Sequence, residues 1–324
     1  MKRSEILSRL LIVAGVLIVL TVPFIVRYFS GQGVIEIHAR LAESGGWSPS
    51  AIQAQVGVPL HLRLTSDDVM HSFAIGQSDM LPMDIAPGKM TDLTLTFDKP
   101  GTYIYYCTRW CGANHWRMRG TIEVTGGETD VPQPEPSPLH VTLNLDIDAP
   151  HPAAVIPAER PSALRSAAFA ALLSSNYLTP EYYRSHSPAQ VYLELRSDSS
   201  LSALSDTDIW DLVAYIWQAN TTPDAMAEGQ RLFARNCAAC HGETGKGDGV
   251  FAADVKSLTG KSPANFADPA SMLGASPALL QGKTLRGGMG TGMPYWGPIF
   301  SNEKIWGIIG FLYTFQFDEN QNKY

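Results

Sequence analysis

All four cysteines of this 324-residue chain fall in two tight pairs, Cys107 with Cys111 and Cys237 with Cys240. Four are too few to staple a chain of this length as a disulfide scaffold. The spacing within each pair is that of ligands instead. Two distant sites of this kind call for two separate folded bodies, in line with a length that suggests about two domains.

Charge narrows the function classes. Lys plus Arg is 24 and Asp plus Glu is 31, a net charge of -7, and 45% of the residues are apolar. That is enough apolar content for ordinary packed cores and argues against disorder. Residues 129–222 hold four basic and eleven acidic side chains. No segment shows the basic footprint of a phosphate-backbone binder, so no nucleic-acid partner is expected.

Leu10 to Val26 are seventeen residues without a charge, bounded by Arg9 and Arg27. As a helix they span about 25 Å, and the flanking apolar residues and snorkelling arginines extend the reach. Residues 1–30 are therefore expected to form one transmembrane anchor. Lys2, Arg3 and Arg9 place its N-terminus in the cytoplasm of a bacterial inner membrane and the rest on the periplasmic side. A cleaved signal peptide is the competing reading, but no A-x-A site follows.

Residues 31–126 alternate as strands do, at Val34–Ile37, Val58–Leu64, Leu93–Phe97, Thr102–Tyr106 and Thr121–Val124, with Pro-Gly turns at Pro87-Gly88 and Pro100-Gly101. This pattern predicts an all-β sandwich or small barrel. After the Thr102–Tyr106 run comes Cys107-x3-Cys111-x3-His115-x2-Met118, with His71 upstream. Two thiolates, two imidazoles and a thioether suit copper. Two thiolates on one tight loop can bridge a pair of coppers. Each copper then takes one histidine and one weak axial ligand, either Met118 or a carbonyl between the cysteines. Zinc, or a Cys107–Cys111 disulfide, are the alternatives. His38 and His61 lie in strands and read as surface or satisfied histidines. Trp110 and Trp116 flank the ligands and read as packing or as a docking surface.

Residues 1–125, through the ligand loop, resemble the copper domain of cytochrome c oxidase subunit II. That resemblance implies a cupredoxin sandwich holding the binuclear CuA centre. The implied ligands are His71, Cys107, Cys111, His115, Met118 and the carbonyl of Arg109. One membrane helix matches the B-type oxidases. Many members carry Glu where Arg109 stands, and its carboxylate helps bind an interface magnesium. Here that role is not expected.

Residues 127–161 read as a linker. Eight prolines fall between Gly126 and Pro161, a composition that favours an extended spacer. Residues 162–222 turn helical, most clearly at Leu204–Trp217, where Ile209, Leu212, Val213 and Ile216 form a stripe behind a Ser205–Asp206 cap. The pattern recurs 96 residues later at Phe300–Tyr313, with Ser205/Ser301, Ile209/Ile305 and Trp210/Trp306 identical, and Ser187-Pro-Ala pairs with Ser276-Pro-Ala. The middle copy has neither Cys nor Met and reads as a haem-free, degenerate repeat that acts as a packing module.

Residues 223–324 carry Cys237-Ala-Ala-Cys240-His241, the attachment motif for one covalent haem c. Gly229 in the preceding helical run would permit a close helix crossing. Met293 in Gly292-Met293-Pro294 is the expected sixth ligand, with Met289 the other candidate. Met226 and Met272 read as packing residues, and His140, His151 and His186 as solvated. The segment resembles an all-α class I cytochrome c.

The expected whole is multidomain: anchor, cupredoxin sandwich, helical segment and cytochrome c. It resembles the electron-transfer subunit II of a haem-copper oxidase. No catalytic acid, base or nucleophile is apparent, and oxygen reduction would belong to subunit I in the membrane. A nitric oxide reductase subunit and a free-standing anchored carrier are the rivals. The haem segment is expected to hang beyond the spacer, within reach of a soluble or membrane-bound donor. Electrons would then pass from haem to copper to subunit I.

Overall fold

The computed structural model describes residues 33–109, 111–112, 114–127, 137–288 and 291–318. The expected anchor at residues 10–26 lies outside them. Among the described residues no helix is long and apolar enough to cross a membrane.

Among the described residues nine strands follow one another: β1 (Ile35–Ala39), β2 (Trp47–Ser48), β3 (Ala51–Gln55), β4 (Leu60–Ser66), β5 (His71–Ile75), β6 (Met83–Ile85), β7 (Thr91–Leu95), β8 (Gly101–Tyr106) and β9 (Arg119–Thr125). They form two sheets, ordered β2-β1-β4-β7 and β3-β9-β8-β5-β6. The pairs β1/β4 and β3/β9 are parallel. The antiparallel pair β8/β9 sets Tyr106 opposite Arg119. Alternation decides which side chains go inward. In β4, Leu60, Leu62 and Leu64 are buried while His61 and Arg63 face out, as a period of two requires. Trp47 closes the core, edge-on to Phe73 at 5.8 Å and to Tyr105 at 5.6 Å. The two-sheet sandwich expected from the alternation is present, and a helical region follows it.

The helical region is capped as its sequence suggests. Ser187 and Ser205 each form a capping box, with Gln190 and Asp208, at the starts of helices Pro188–Ser197 and Asp206–Ala219. Ser276 and Ser301 cap helices Pro277–Arg286 and Asn302–Tyr313. The two internal sequence matches thus fall on the same two kinds of helix start. Helices Pro223–Asn236 and Asn302–Tyr313 cross at glycines. A Cβ on Gly229 would lie 2.0 Å from the Gly307 carbonyl oxygen, the close crossing foreseen for that glycine. Met226 and Met272 are buried packing residues.

Three expectations change. Residues 139–153 do not form an extended spacer. They hold a short helix, Leu139–Thr142, and pack on helix Pro277–Arg286. His140 abuts Gly282, Arg286 pairs with Asp148, and the Ala153 N–H donates to Ala270. A proline-rich composition disfavours regular structure but does not prevent such packing.

The histidines read as solvated are engaged. His151 meets the Ser271 carbonyl and Lys283, His186 stacks on Tyr182 at 4.1 Å, and the Nδ1 of His140 is buried. By contrast His38 and His61 sit at the surface, against Asp67 and Thr94.

The third change has the largest consequence for function. The C-terminal segment does not hang free. Residues 183–217 share one hydrophobic core with residues 232–317, and Ala74 and Tyr106 of the sandwich belong to the same core. The edge of the sandwich is bonded to the loop before the last helix. The Gln77 N–H donates to Ile299 O at 2.7 Å, and Lys304 Nζ donates to Ser78 O at 3.0 Å. Gly76 sits so close to Pro298 that a Cβ would come within 2.8 Å of its carbonyl oxygen.

Candidate metal centre and cofactor cleft

The ligand loop runs from the end of β8 to the start of β9, so two adjacent strands fix its ends. His71 opens β5 in the same sheet. Ligand atoms of His71, Cys107 and Cys111 lie within 4.8 Å of one another. His115 Nδ1 stands 3.5 Å from Cys111 Sγ, and Met118 Sδ 3.3 Å from it. The Arg109 carbonyl oxygen is 3.2 Å from Cys107 Sγ. All six residues singled out in the sequence therefore converge on one place, and Cys107, Met118 and His71 are buried there. Both histidines turn Nδ1 toward sulfur, with His71 Nδ1 at 4.0 Å from Cys107 Sγ.

The electrostatics of the cluster favour bound cations. The hydrogen bond from Cys111 holds the Cys107 thiol far below its ordinary range. It does so against burial and with help from His115 and His71. Cys111 is pushed up by the same bond to Cys107, then by burial. The pair thus shares one proton, the state a metal would displace. Burial opposes charge on His71, but its hydrogen bonds to Cys107 and Asp68 outweigh that and raise its pKa.

Several supporting groups escaped the sequence reading. Asp68 accepts from His71 Nε2 at 2.7 Å and is itself held by the N–H groups of Leu41 and Val69. A carboxylate on the far ring nitrogen orients a metal-ligating histidine. The D-x-x-H spacing was the available signal. The Ser72 N–H points at Cys107 Sγ, 3.4 Å away. The Arg109 side chain turns away from the sulfurs and forms a forked pair with Asp84, at 3.1 and 2.7 Å. Only its carbonyl faces the cluster.

Cys237, Cys240 and His241 lie together on and beside the short helix Ala238–His241. His241 Nδ1 donates to the Ala264 carbonyl at 3.1 Å, and the ring stacks on Phe266 at 4.6 Å. That bond fixes the tautomer and leaves Nε2 as the lone-pair nitrogen. Burial lowers the His241 pKa, which keeps the imidazole neutral, although the Ala264 carbonyl works the other way. Burial, with Cys240 nearby, pushes the Cys237 thiol up to about 12. A cleft of about 680 Å³ is walled by Met293, Gly292, Leu258 and Thr259 on one side and by Asn114, Arg117 and Arg119 of the sandwich on the other. Met293 therefore borders the copper loop, while Met289 lies outside the described residues. A neutral, anchored imidazole beside two free thiols fits a covalently attached haem, and the soft buried donors of the first cluster fit copper.

Residues 48–125 match the family model for the periplasmic domain of cytochrome c oxidase subunit II. Residues 224–312 match that for subunit III of cbb3-type cytochrome c oxidase. Cytochrome c oxidase subunit 2 of Thermus thermophilus is 33% identical over 84 residues, covering 26% of this chain and 62% of that one. A second chain of that name, from another strain of the same organism, is also 33% identical over 84 residues, 49% of its length. The matched stretch thus spans about half to three-fifths of these relatives. The periplasmic domain of subunit II of the cytochrome oxidase of Bradyrhizobium japonicum aligns in space with 17% identity, a TM-score of 0.26, and coverage of 29% of this chain and 85% of that one.

Proposed function

We propose, from the premise that this chain joins a cytochrome c oxidase subunit II periplasmic domain to a cytochrome c domain, that it is the electron-transfer subunit of a membrane-bound haem-copper oxidase. His71, Cys107, Cys111, His115, Met118 and the Arg109 carbonyl would hold the binuclear CuA centre. Cys237 and Cys240 would carry haem c, with His241 and Met293 as its axial ligands. When bound, these groups supply one-electron oxidation and reduction.

The chain's own residues do the rest. The two thiols would bind metal as thiolates, releasing their proton to solvent. Asp68 keeps the His71 ring aimed at the sulfurs, and the Ala264 carbonyl holds the His241 proton on Nδ1, leaving Nε2 free to bind. The residues assigned to each centre form a full ligand set, so neither reads as a substrate site, and oxygen reduction falls to subunit I. Residues 10–26 would anchor the chain with its cofactor domains on the periplasmic side.

The observation that carries this reading is that the cleft bordered by Met293 is walled on its other side by Asn114 and Arg117 of the Cys107–Met118 loop. Rapid mixing of the purified complex with a reduced external donor tests it. Haem should be reduced first and copper after it, with oxygen consumed at the end. Reduction of copper before haem, or nitric oxide turnover in place of oxygen consumption, would overturn the assignment.

A further inference from the structure

We propose that Arg119 is the positioning residue that clamps the Met293 loop to the copper ligand loop, so that haem and copper exchange electrons within one docked unit. This rests on the electron-transfer reading above. Arg119 directly follows Met118 and opens β9. Its Nη1 donates to the Tyr295 carbonyl at 2.9 Å. Its guanidinium lies over the Tyr295 ring at 4.6 Å and the Trp296 ring at 5.6 Å. The partners of this cation are thus a carbonyl and two aromatic faces, all supplied by the residues just after Met293.

The geometry on both sides is stiff. Behind Arg119, a Cβ on Gly120 would lie 2.1 Å from the Tyr105 ring, so the strand cannot drift there without moving the core. Ahead of it, Trp296 is buried and stacks on Phe300 at 5.1 Å. Phe300 in turn meets Tyr106 edge-on at 6.5 Å, and Tyr106 is paired with Arg119 across the sheet. Gln77 and Lys304 hold the same two bodies together, but through residues 297–304. Arg119 instead bonds next to the two methionines. Met293, Pro294 and Tyr295, one hydrogen bond, then Arg119 and Met118 make a nearly continuous bonded link between the proposed ligands.

Tunnelling falls steeply with the width of any gap, so opening this contact should slow the transfer while leaving each centre intact. The step is one electron. Ferrous haem is oxidised to ferric and the mixed-valence copper pair is reduced to the cuprous state, with no bond made or broken and no proton moved. Lysine is a poor substitute, because a point charge on a flexible stem neither stacks flat on two rings nor presents the planar fork.

Arg119→Ala in the full, cofactor-loaded chain tests the clamp. Losing a charge-assisted hydrogen bond should raise amide exchange across residues 294–299 by about tenfold. Haem-to-copper transfer after flash reduction of the haem should slow at least about tenfold, with the spectra and potentials of both centres unchanged. Arg119→Lys should restore neither readout fully, whereas full rescue would mean that charge alone matters and would overturn the clamp. If Arg119→Ala does not fold, Tyr295→Leu serves instead. It removes a half-exposed ring, keeps the carbonyl, and should slow transfer by a smaller factor. Unchanged exchange or an unchanged rate in the variant that folds overturns the proposal. Absence of any haem-to-copper transfer in the wild-type chain would sink the electron-transfer reading instead, and the exchange measurement would still decide whether Arg119 holds the loop.

Discussion

The indole N–H of Trp47 donates to the backbone carbonyl of Met118 at 3.1 Å. The two residues are 71 positions apart, and Trp47 is the ring that closes the aromatic core between the sheets. The position of a proposed copper ligand is therefore set from within the sandwich. Trp47→Phe keeps the ring and removes the donor. We expect it to cost about 0.5–1.5 kcal/mol, because the carbonyl loses one of two donors and keeps the Cys107 N–H, and to shift the copper absorption bands. Denaturant unfolding and the optical spectrum check both, and an unchanged spectrum would mean that Met118 is held by other contacts.

The six donors that converge on Cys107 and Cys111 predict a copper-to-haem ratio of about two in the loaded chain. Cys111→Ser should abolish the mixed-valence copper signal and leave the haem attached. Elemental analysis with electron paramagnetic resonance tests this. One copper per haem, or tightly held zinc, would contradict the binuclear reading.

Asp68 anchors the ring of His71 at 2.7 Å. Asp68→Ala frees that ring and should weaken copper binding by about 10–100-fold, leaving haem content unchanged. Competition with a calibrated copper chelator gives the affinity, and wild-type affinity would show that Asp68 does not orient the ligand.

The crossing of Gly229 and Gly307 leaves no room for a methyl group, since the obstructing atom is a backbone oxygen 2.0 Å away. Gly229→Ala should force the two helices apart at a cost of about 1–3 kcal/mol or more. It should lower the melting temperature and reduce the yield of haem-loaded protein. A melting curve equal to wild type would refute the tight crossing.

Acid should loosen the segment packed on helix Pro277–Arg286. Burial, and then the charge of Lys283, holds the His151 pKa below its ordinary value. Burial and Arg286 do the same to His140. A group whose folded pKa is depressed leaves stability fully present above its unfolded value, about 6.5 for histidine. That stability is lost as pH falls through the lowered folded value. Melting temperatures measured from pH 8 to pH 5 should decline, and His151→Asn should flatten the decline. A parallel slope in the variant would exclude His151 as its source.

Both donor clusters are local in the sequence, and the reason is chemical. Cys107, Cys111, His115 and Met118 occupy twelve consecutive residues because one loop must converge on one point, and Cys237, Cys240 and His241 are closer still. Period-two alternation fixes which face of β4 is buried, and serine caps mark the helix starts, so the sandwich and the helical region were legible too. His71 supplies the second imidazole from 36 residues upstream of Cys107, and nothing in its own neighbourhood says that β5 lies beside β8. Trp47, Asp68 and Ala264 act through contacts made only once the chain has folded. The Met118–Arg119–Tyr295 link joins residues 176 positions apart, and no periodicity encodes it. For the same reason composition misjudged the proline-rich stretch. Proline restricts local dihedrals, but whether residues 139–153 extend or pack depends on the face of helix Pro277–Arg286 offered to them. The sequence alone determined where the soft donor side chains cluster along the chain, because that is set by residue type and short spacing. Only the tertiary structure decided that the Met293 loop and the Cys107–Met118 loop face one cleft, because docking depends on the complementary surfaces of two finished domains.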